Sequence, residues 1–155
     1  MTKRPRSFGH ITPKGTPRPS FNGVKFRSKS ECAVAKALET LEWEWEYEPQ
    51  EFEFVNIRRG NRFYRPDFKA WRKGAPEHYR WIEVKGYFDA PSLTKLRRFA
   101  RYYPHEACRL TLITDSKIDA LFTEPCFRSL LDNKDVEYCP EIWSLKRMEK
   151  LGGGV

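Results

Sequence analysis

The order of hydrophobic patterns along this 155-residue chain predicts a mixed α/β fold, a central β-sheet flanked by helices. Three observations carry that prediction. A capping motif followed by an alanine-rich run marks a helix near residue 30. Apolar and acidic residues alternate between Trp43 and Val55, the period of a strand. After Gly86 the spacing turns helical, and a continuous apolar run follows at residues 109–114.

Ser28-Lys29-Ser30-Glu31 has the form in which a serine caps a helix and a glutamate reaches back to the cap amide, so a helix is expected over residues 29–42. Trp43-Glu44-Trp45-Glu46-Tyr47-Glu48 and Glu51-Phe52-Glu53-Phe54-Val55 read as a half-buried strand. Pro49 breaks it, because proline has no N–H for a ladder. Arg58-Arg59-Gly60-Asn61 is a turn, residues 62–71 return as a second strand, and residues 80–85 form a third. Pro91 suits a first helical turn, and Leu93, Leu96, Arg97 and Ala100 recur at helical spacing as far as Pro104. Residues 109–114 read as a buried strand. A helix interrupted by Pro125 is expected over residues 117–131, and a last short helix over 141–151.

The net charge of +8 is concentrated at one end. Residues 1–30 hold eight of the 29 Lys and Arg and no acid, leaving 21 basic against 21 acidic side chains in the rest. Residues 1–22, rich in proline and without periodicity, are expected to be a basic arm, and 23–155 a single folded domain. Lys3, Arg4, Arg6, Lys14 and Arg18, with Lys25, Arg27 and Ser28 just beyond, are candidate phosphate contacts. A solvated tail is the competing reading of the same charges. No run approaches the ~20 apolar residues of a membrane helix, and the charged start lacks the apolar stretch of a signal peptide, so a cytoplasmic location is expected. Cys32, Cys108, Cys126 and Cys139 form no Cys-x-x-Cys pair and the histidines are scattered, which argues against zinc.

Two strings carry chemistry, Tyr64-Arg65-Pro66-Asp67-Phe68 and Trp81-Ile82-Glu83-Val84-Lys85. Strand alternation puts Trp81, Glu83 and Lys85 on one face, with Glu83 and Lys85 roughly 6–7 Å apart, and the apolar Ile82 and Val84 on the other. Asp67, arriving on a neighbouring strand, adds a second carboxylate. Hydrolysis of a phosphodiester needs an activated water and counter-charge for phosphate oxygens, which Mg²⁺ supplies when one or two carboxylates hold it. The Val84 carbonyl is a further oxygen donor, and Lys85 can orient water or neutralise charge. Read singly, a Pro-Asp pair is a turn and Glu-x-Lys a solvated strand face.

Pro66-Asp67 followed by Glu83-Val84-Lys85 resembles the defining motif of the PD-(D/E)XK nucleases. Phe26-Arg27-Ser28-Lys29-Ser30-Glu31 is similar to the helix entry of archaeal and bacteriophage Holliday junction resolvases. The resemblance covers residues 24–115. It implies a restriction-endonuclease-like core, Mg²⁺-dependent cleavage leaving 5′-phosphate and 3′-hydroxyl ends with Mn²⁺ as a substitute, and catalysis by Glu31, Asp67, Glu83 and Lys85. The metal ligands would be Asp67, Glu83, Val84 and Glu31. Glu31 has a second reading, as the capping-box glutamate alone.

Arg58, Arg59 and Arg62 at a hairpin tip, and Arg97 and Arg98 on the helix after the motif, complete the candidate DNA contacts, with a solvated surface as the alternative. Lys95 lies near the motif without independent support. The Trp43/Trp45/Tyr47 face is expected to be core or a subunit contact. The expected partner is branched DNA, a four-way junction bound by a homodimer, in the host cytoplasm if the protein is of phage origin. A sequence-specific or transposon-end nuclease is one alternative, a non-catalytic DNA-binding protein the other.

Overall fold

A computed structural model describes residues 17–132 and 138–153. A small hairpin opens it, β1 (Ser20–Phe21) against β2 (Val24–Lys25), turning through Asn22 and Gly23 at positive φ. Regular pairing thus starts within the stretch read as an arm. Helix α1 (Lys29–Thr40) follows, then β3 (Trp43–Tyr47), β4 (Phe52–Glu53), β5 (Phe63–Tyr64), β6 (Phe68–Arg72) and β7 (Arg80–Val84). Next come α2 (Ala90–Tyr102), α3 (Pro104–Ala107), β8 (Leu110–Ile113), α4 (Pro125–Asp132), β9 (Glu141–Trp143) and α5 (Leu145–Leu151).

Five strands form the central sheet in the order β3-β6-β7-β8-β9. The first three pair antiparallel, and β7, β8 and β9 run parallel. Both faces are covered, so every residue of β7 is buried. Ile82, Val84 and Ile113 pack with Val34, Leu38, Leu145 and Met148 of α1 and α5. Trp81, Leu110 and Leu112 pack with Leu96, Phe99 and Phe127 of α2 and α4. The result is the expected mixed α/β sheet between helices. The Glu83 face of β7, read from the sequence as the more polar one, is also interior.

Two differences from the sequence reading have physical causes. Residues 141–143, expected as the start of a helix, pair in parallel with β8, and Ser144 then caps α5 through the Arg147 amide. A segment of three residues, Glu141-Ile142-Trp143, fits either period, so tertiary pairing decides it. The long hairpin is also split in two: β3 pairs with β6 in the central sheet, whereas β4 and β5 form a separate ladder. Pro49 interrupts one strand and Pro66 the other, and neither can donate to a ladder. The detached ladder leans over α2, with the rings of Phe52 and Tyr64 each 4.9 Å from Phe99.

Helices α1 and α5 meet closely enough that a Cβ on Gly152 would stand 2.1 Å from the Ala33 carbonyl oxygen. The aromatic face of β3 is half-buried against the core: Trp45 and Tyr47 pack on Phe26 and Phe68, and Trp43 on Trp143. All four cysteines are free thiols, and no helix among the described residues is long and apolar enough to cross a membrane.

Candidate active site

The site grows from the place where the β6–β7 ladder ends. Phe68 pairs with Ile82, but Pro66 then turns the chain away before it can pair with Val84. Along β7 the N–H groups of Trp81 and Lys85 go to β8, at 2.9 Å from Arg109 O and 3.1 Å from Ile113 O. Alternation therefore points the N–H and C=O of Val84 into the gap that β6 has left. Asp67 fills half of that gap: its Oδ2 accepts from the Val84 N–H at 2.7 Å. The Val84 carbonyl opens beside the same carboxylate.

Glu83 projects toward α2 and is 8% exposed. The detached β4–β5 ladder brings Tyr64 over it, and the Tyr64 hydroxyl donates to Glu83 Oε2 at 3.0 Å. Glu31 arrives from the first turn of α1. Its Oε2 accepts from the Tyr47 hydroxyl at 2.5 Å and from the Arg27 N–H at 3.3 Å. The capping box is thus half formed: Ser28 Oγ accepts the Glu31 amide at 3.1 Å, while the Glu31 carboxylate reaches Arg27 rather than Ser28.

These acids hold their protons unusually well. Burial, foremost, pushes Glu83 up to about 7, with the Glu31 charge adding to the shift and Lys85, Tyr64 and Lys95 opposing it. Asp67 is raised well above the ordinary range by burial and then by the charges of Glu83 and Glu31, against the Val84 N–H. Glu31 is raised by burial, against the Tyr47 and Arg27 donors, with Glu48 adding repulsion. Tyr64 and Tyr47 are pushed up by burial and by the carboxylates they serve. Three acids from separate elements therefore feel one another at the end of β7.

Each spends one oxygen on the protein and keeps one without a protein donor. Among the described residues only Arg62 Nε is both buried and unpartnered, so those three free oxygens reach solvent. An all-oxygen donor set with unmet negative charge suits a hard cation such as Mg²⁺, which takes one or two carboxylates and keeps its waters. Among the described residues no three His, Cys, Asp or Glu side chains converge to hold one metal ion. Glu31 is held by the Tyr47 hydroxyl and the Arg27 amide.

Lys85 is partly buried, and its Nζ donates to Ser92 Oγ at 2.7 Å. Asp89 caps α2 by accepting the Ser92 amide at 2.9 Å, which fixes Ser92 in the first turn. Lys95, one turn on, interacts with Glu83 and Lys85. Sequence reasoning missed Tyr47, Glu48, Tyr64 and Ser92. In the sequence Tyr47 reads as part of an apolar strand face and Tyr64 as the start of the Pro-Asp string, although a buried tyrosine hydroxyl needs a partner and is itself a signal.

The candidate DNA contacts divide. Lys3, Arg4, Arg6 and Lys14 lie outside the described residues. Arg18, Lys25, Arg58 and Arg59 are exposed. Arg27 pairs with Glu48 at 3.0 Å, and Ser28 is spent as the helix cap. Arg62 lies over the Phe63 ring. Arg97 is hydrogen-bonded to Glu124 at 2.7 and 2.9 Å, and Arg98 holds the Asn61 carbonyl at 2.8 Å.

Compared with protein-family models, curated proteins and solved structures, the chain matches none.

Proposed function

We propose that this chain is a Mg²⁺-dependent DNA endonuclease of the PD-(D/E)XK type with a restriction-endonuclease-like core, cutting branched DNA and four-way junctions in particular as a homodimer. One observation carries the reading. Asp67 and Glu83, from the β5–β6 connection and β7, stand at the end of one strand, each with an oxygen facing solvent, within electrostatic reach of Glu31 from α1, and Lys85 acts on Glu83 from the same strand. Packing buried like charges together is costly unless a ligand offsets it.

Asp67 and Glu83 would hold the ion, with the Val84 carbonyl beside them. Bound there, it would neutralise phosphate oxygens and favour ionisation of a water. Ser92 holds the Lys85 ammonium at the same end of β7, where it stabilises charge on the phosphate. Glu31, fixed by Tyr47, orients the attacking water with its free oxygen. Water oxygen bonds to phosphorus as the bond to the 3′ oxygen breaks, leaving 5′-phosphate and 3′-hydroxyl ends. A junction has two equivalent strands to cut, and a two-fold dimer puts one site on each.

The test incubates the protein with junction, flap, mismatched, single-stranded and duplex DNA, with Mg²⁺ or EDTA. Paired, symmetric nicks in the junction with Mg²⁺ alone are expected, with duplex spared. Asp67→Asn should abolish cutting and leave binding equal or tighter, since one negative charge near phosphate is gone. Cutting linear duplex at a fixed sequence points to a restriction-type or transposon-end enzyme. Steeply salt-dependent binding with no cleavage in any metal leaves the non-catalytic DNA-binding protein that the basic first thirty residues favour.

A further inference from the structure

Lys95 is half-buried on α2, and among the described residues its ammonium has neither a hydrogen-bond nor an ion-pair partner. Drawing a cation partly out of water without a partner costs free energy. Glu83 and Asp89 attract it without bonding it, which offsets that cost only in part. Lys95 follows Ser92 by three residues, so the two side chains lie on one face of α2. Ser92 is the residue that accepts from Lys85 Nζ at 2.7 Å. Two ammonium groups are therefore delivered to the same side of the site, one from the end of β7 and one from the first turns of α2.

Their surroundings narrow the ligand. Burial weakens the hold of Lys95 on its proton, Glu83 and Asp89 attract it, and Lys85 and Arg27 repel it. Glu83 already receives Tyr64, and Asp89 spends itself on the α2 cap. Neither forms an ion pair with Lys95. Like charges held near one another, one of them unpartnered, make a receptor for an anion with several oxygens. Lysines are point donors that suit a tetrahedral phosphate, whereas a planar carboxylate is better met by the arginine fork.

We infer that Lys95 and Lys85 together form an oxyanion pocket on the α2 side of the site, which takes the non-bridging oxygens of a nucleic-acid phosphate. This deepens the nuclease reading and rests on it. The carboxylates then hold the cationic side of the reacting group and the lysines its anionic side, so the phosphate is gripped between α2 and the gap beside Val84. Lys95 would touch the phosphate itself.

Lys95→Met keeps the length of the stem and removes the charge. In single-turnover cutting of a four-way junction with Mg²⁺, Lys95→Met should lose rate on the order of 100-fold, the effect of removing one well-placed donor to a developing oxyanion. Lys95→Arg should recover part of it. In an Asp67→Asn background, junction affinity should change far less than the rate. The melting temperature of Lys95→Met should stay level or rise, whereas a bracing role would lower it. In a second arm, inorganic phosphate should raise the melting temperature of the unaltered protein but not of Lys95→Met, which separates an anion site from the DNA itself. A protein that cuts junctions equally well with methionine at 95 overturns the pocket and leaves the nuclease reading standing. If no DNA is cut at all, the nuclease reading fails, and a phosphate response that Lys95→Met retains then overturns the pocket as well.

Discussion

Tyr64 donates its hydroxyl to Glu83 Oε2 at 3.0 Å, although the two residues belong to different sheets. The bond exists because Pro66 ends one ladder and lets the next lean over α2. It leaves Glu83 with one hydrogen-bonded oxygen and one oxygen open to solvent.

Tyr64→Phe should therefore act on acidity before it acts on shape. Loss of the donor raises Glu83 further above its position of about 7. The acid limb of the cleavage pH–rate profile should move to higher pH, and the rate at neutral pH should fall several-fold. Above the limb the variant should lose about 1–3 kcal/mol of stability, the cost of a buried acceptor without its donor. Single-turnover rates across pH 5–9 and urea midpoints read both.

The same acid makes stability depend on pH in a defined direction. Its folded-state value of about 7 lies above the ordinary 4.5, so the folded protein holds that proton more tightly. The contribution is fully present below pH 4.5 and is lost as pH rises through 7, by up to about 3 kcal/mol. Metal-free protein should thus melt lower at pH 8 than at pH 5. Glu83→Gln should flatten that slope, and Mg²⁺ should raise the melting temperature more at pH 8 than at pH 5. A melting temperature that climbs from pH 5 to pH 8 without metal would refute this.

Cap and carboxylate can be separated at the start of α1. The cap is Ser28 Oγ accepting the Glu31 amide, so Ser28→Ala should cost about 1 kcal/mol of stability with modest loss of cutting per folded molecule. Glu31→Gln keeps an oxygen for Arg27 and Tyr47 and removes a repelling charge. Its melting temperature should hold or rise while cleavage collapses. Thermal melting beside junction cutting for both variants tests the pair.

Gly152→Ala offers a stability lesion far from the chemistry. The added Cβ would meet Ala33 O at 2.1 Å, backbone against backbone, so α1 and α5 must part. A loss of about 1–3 kcal/mol is expected from such overpacking, read in denaturant melts.

Much of this arrangement was legible in the residues, and what was not has a common cause. Period two in Trp81–Lys85 separates Glu83 and Lys85 from Ile82 and Val84 whatever surrounds the strand. The serine cap at residue 28 likewise follows from four adjacent residues. Ser92 and Tyr64 were not legible as site residues, and Lys95 only as a neighbour of the motif, because their meeting depends on which end of the sheet α2 starts from and how far a proline swings a hairpin. The partners of Arg97 and Arg98 were not legible because Glu124 and Asn61 are distant in sequence. The pairing of residues 141–143 with β8 was hidden for the same reason.

The two prolines also divide the molecule mechanically. The β4–β5 hairpin is moored to α2 and the residue that caps it, through Tyr103 donating to Glu53 O at 2.6 Å and Arg98 to Asn61 O in the loop at 2.8 Å, and its continuity with β3 and β6 is broken on both strands. A load applied at Arg58 or Arg59 is passed to the helix that carries Ser92 and Lys95, while Asp67 stays anchored in the sheet. A change of length or charge at that tip therefore reaches the acidic cluster through Tyr64 and Glu83, and leaves Asp67 tied to the Val84 amide.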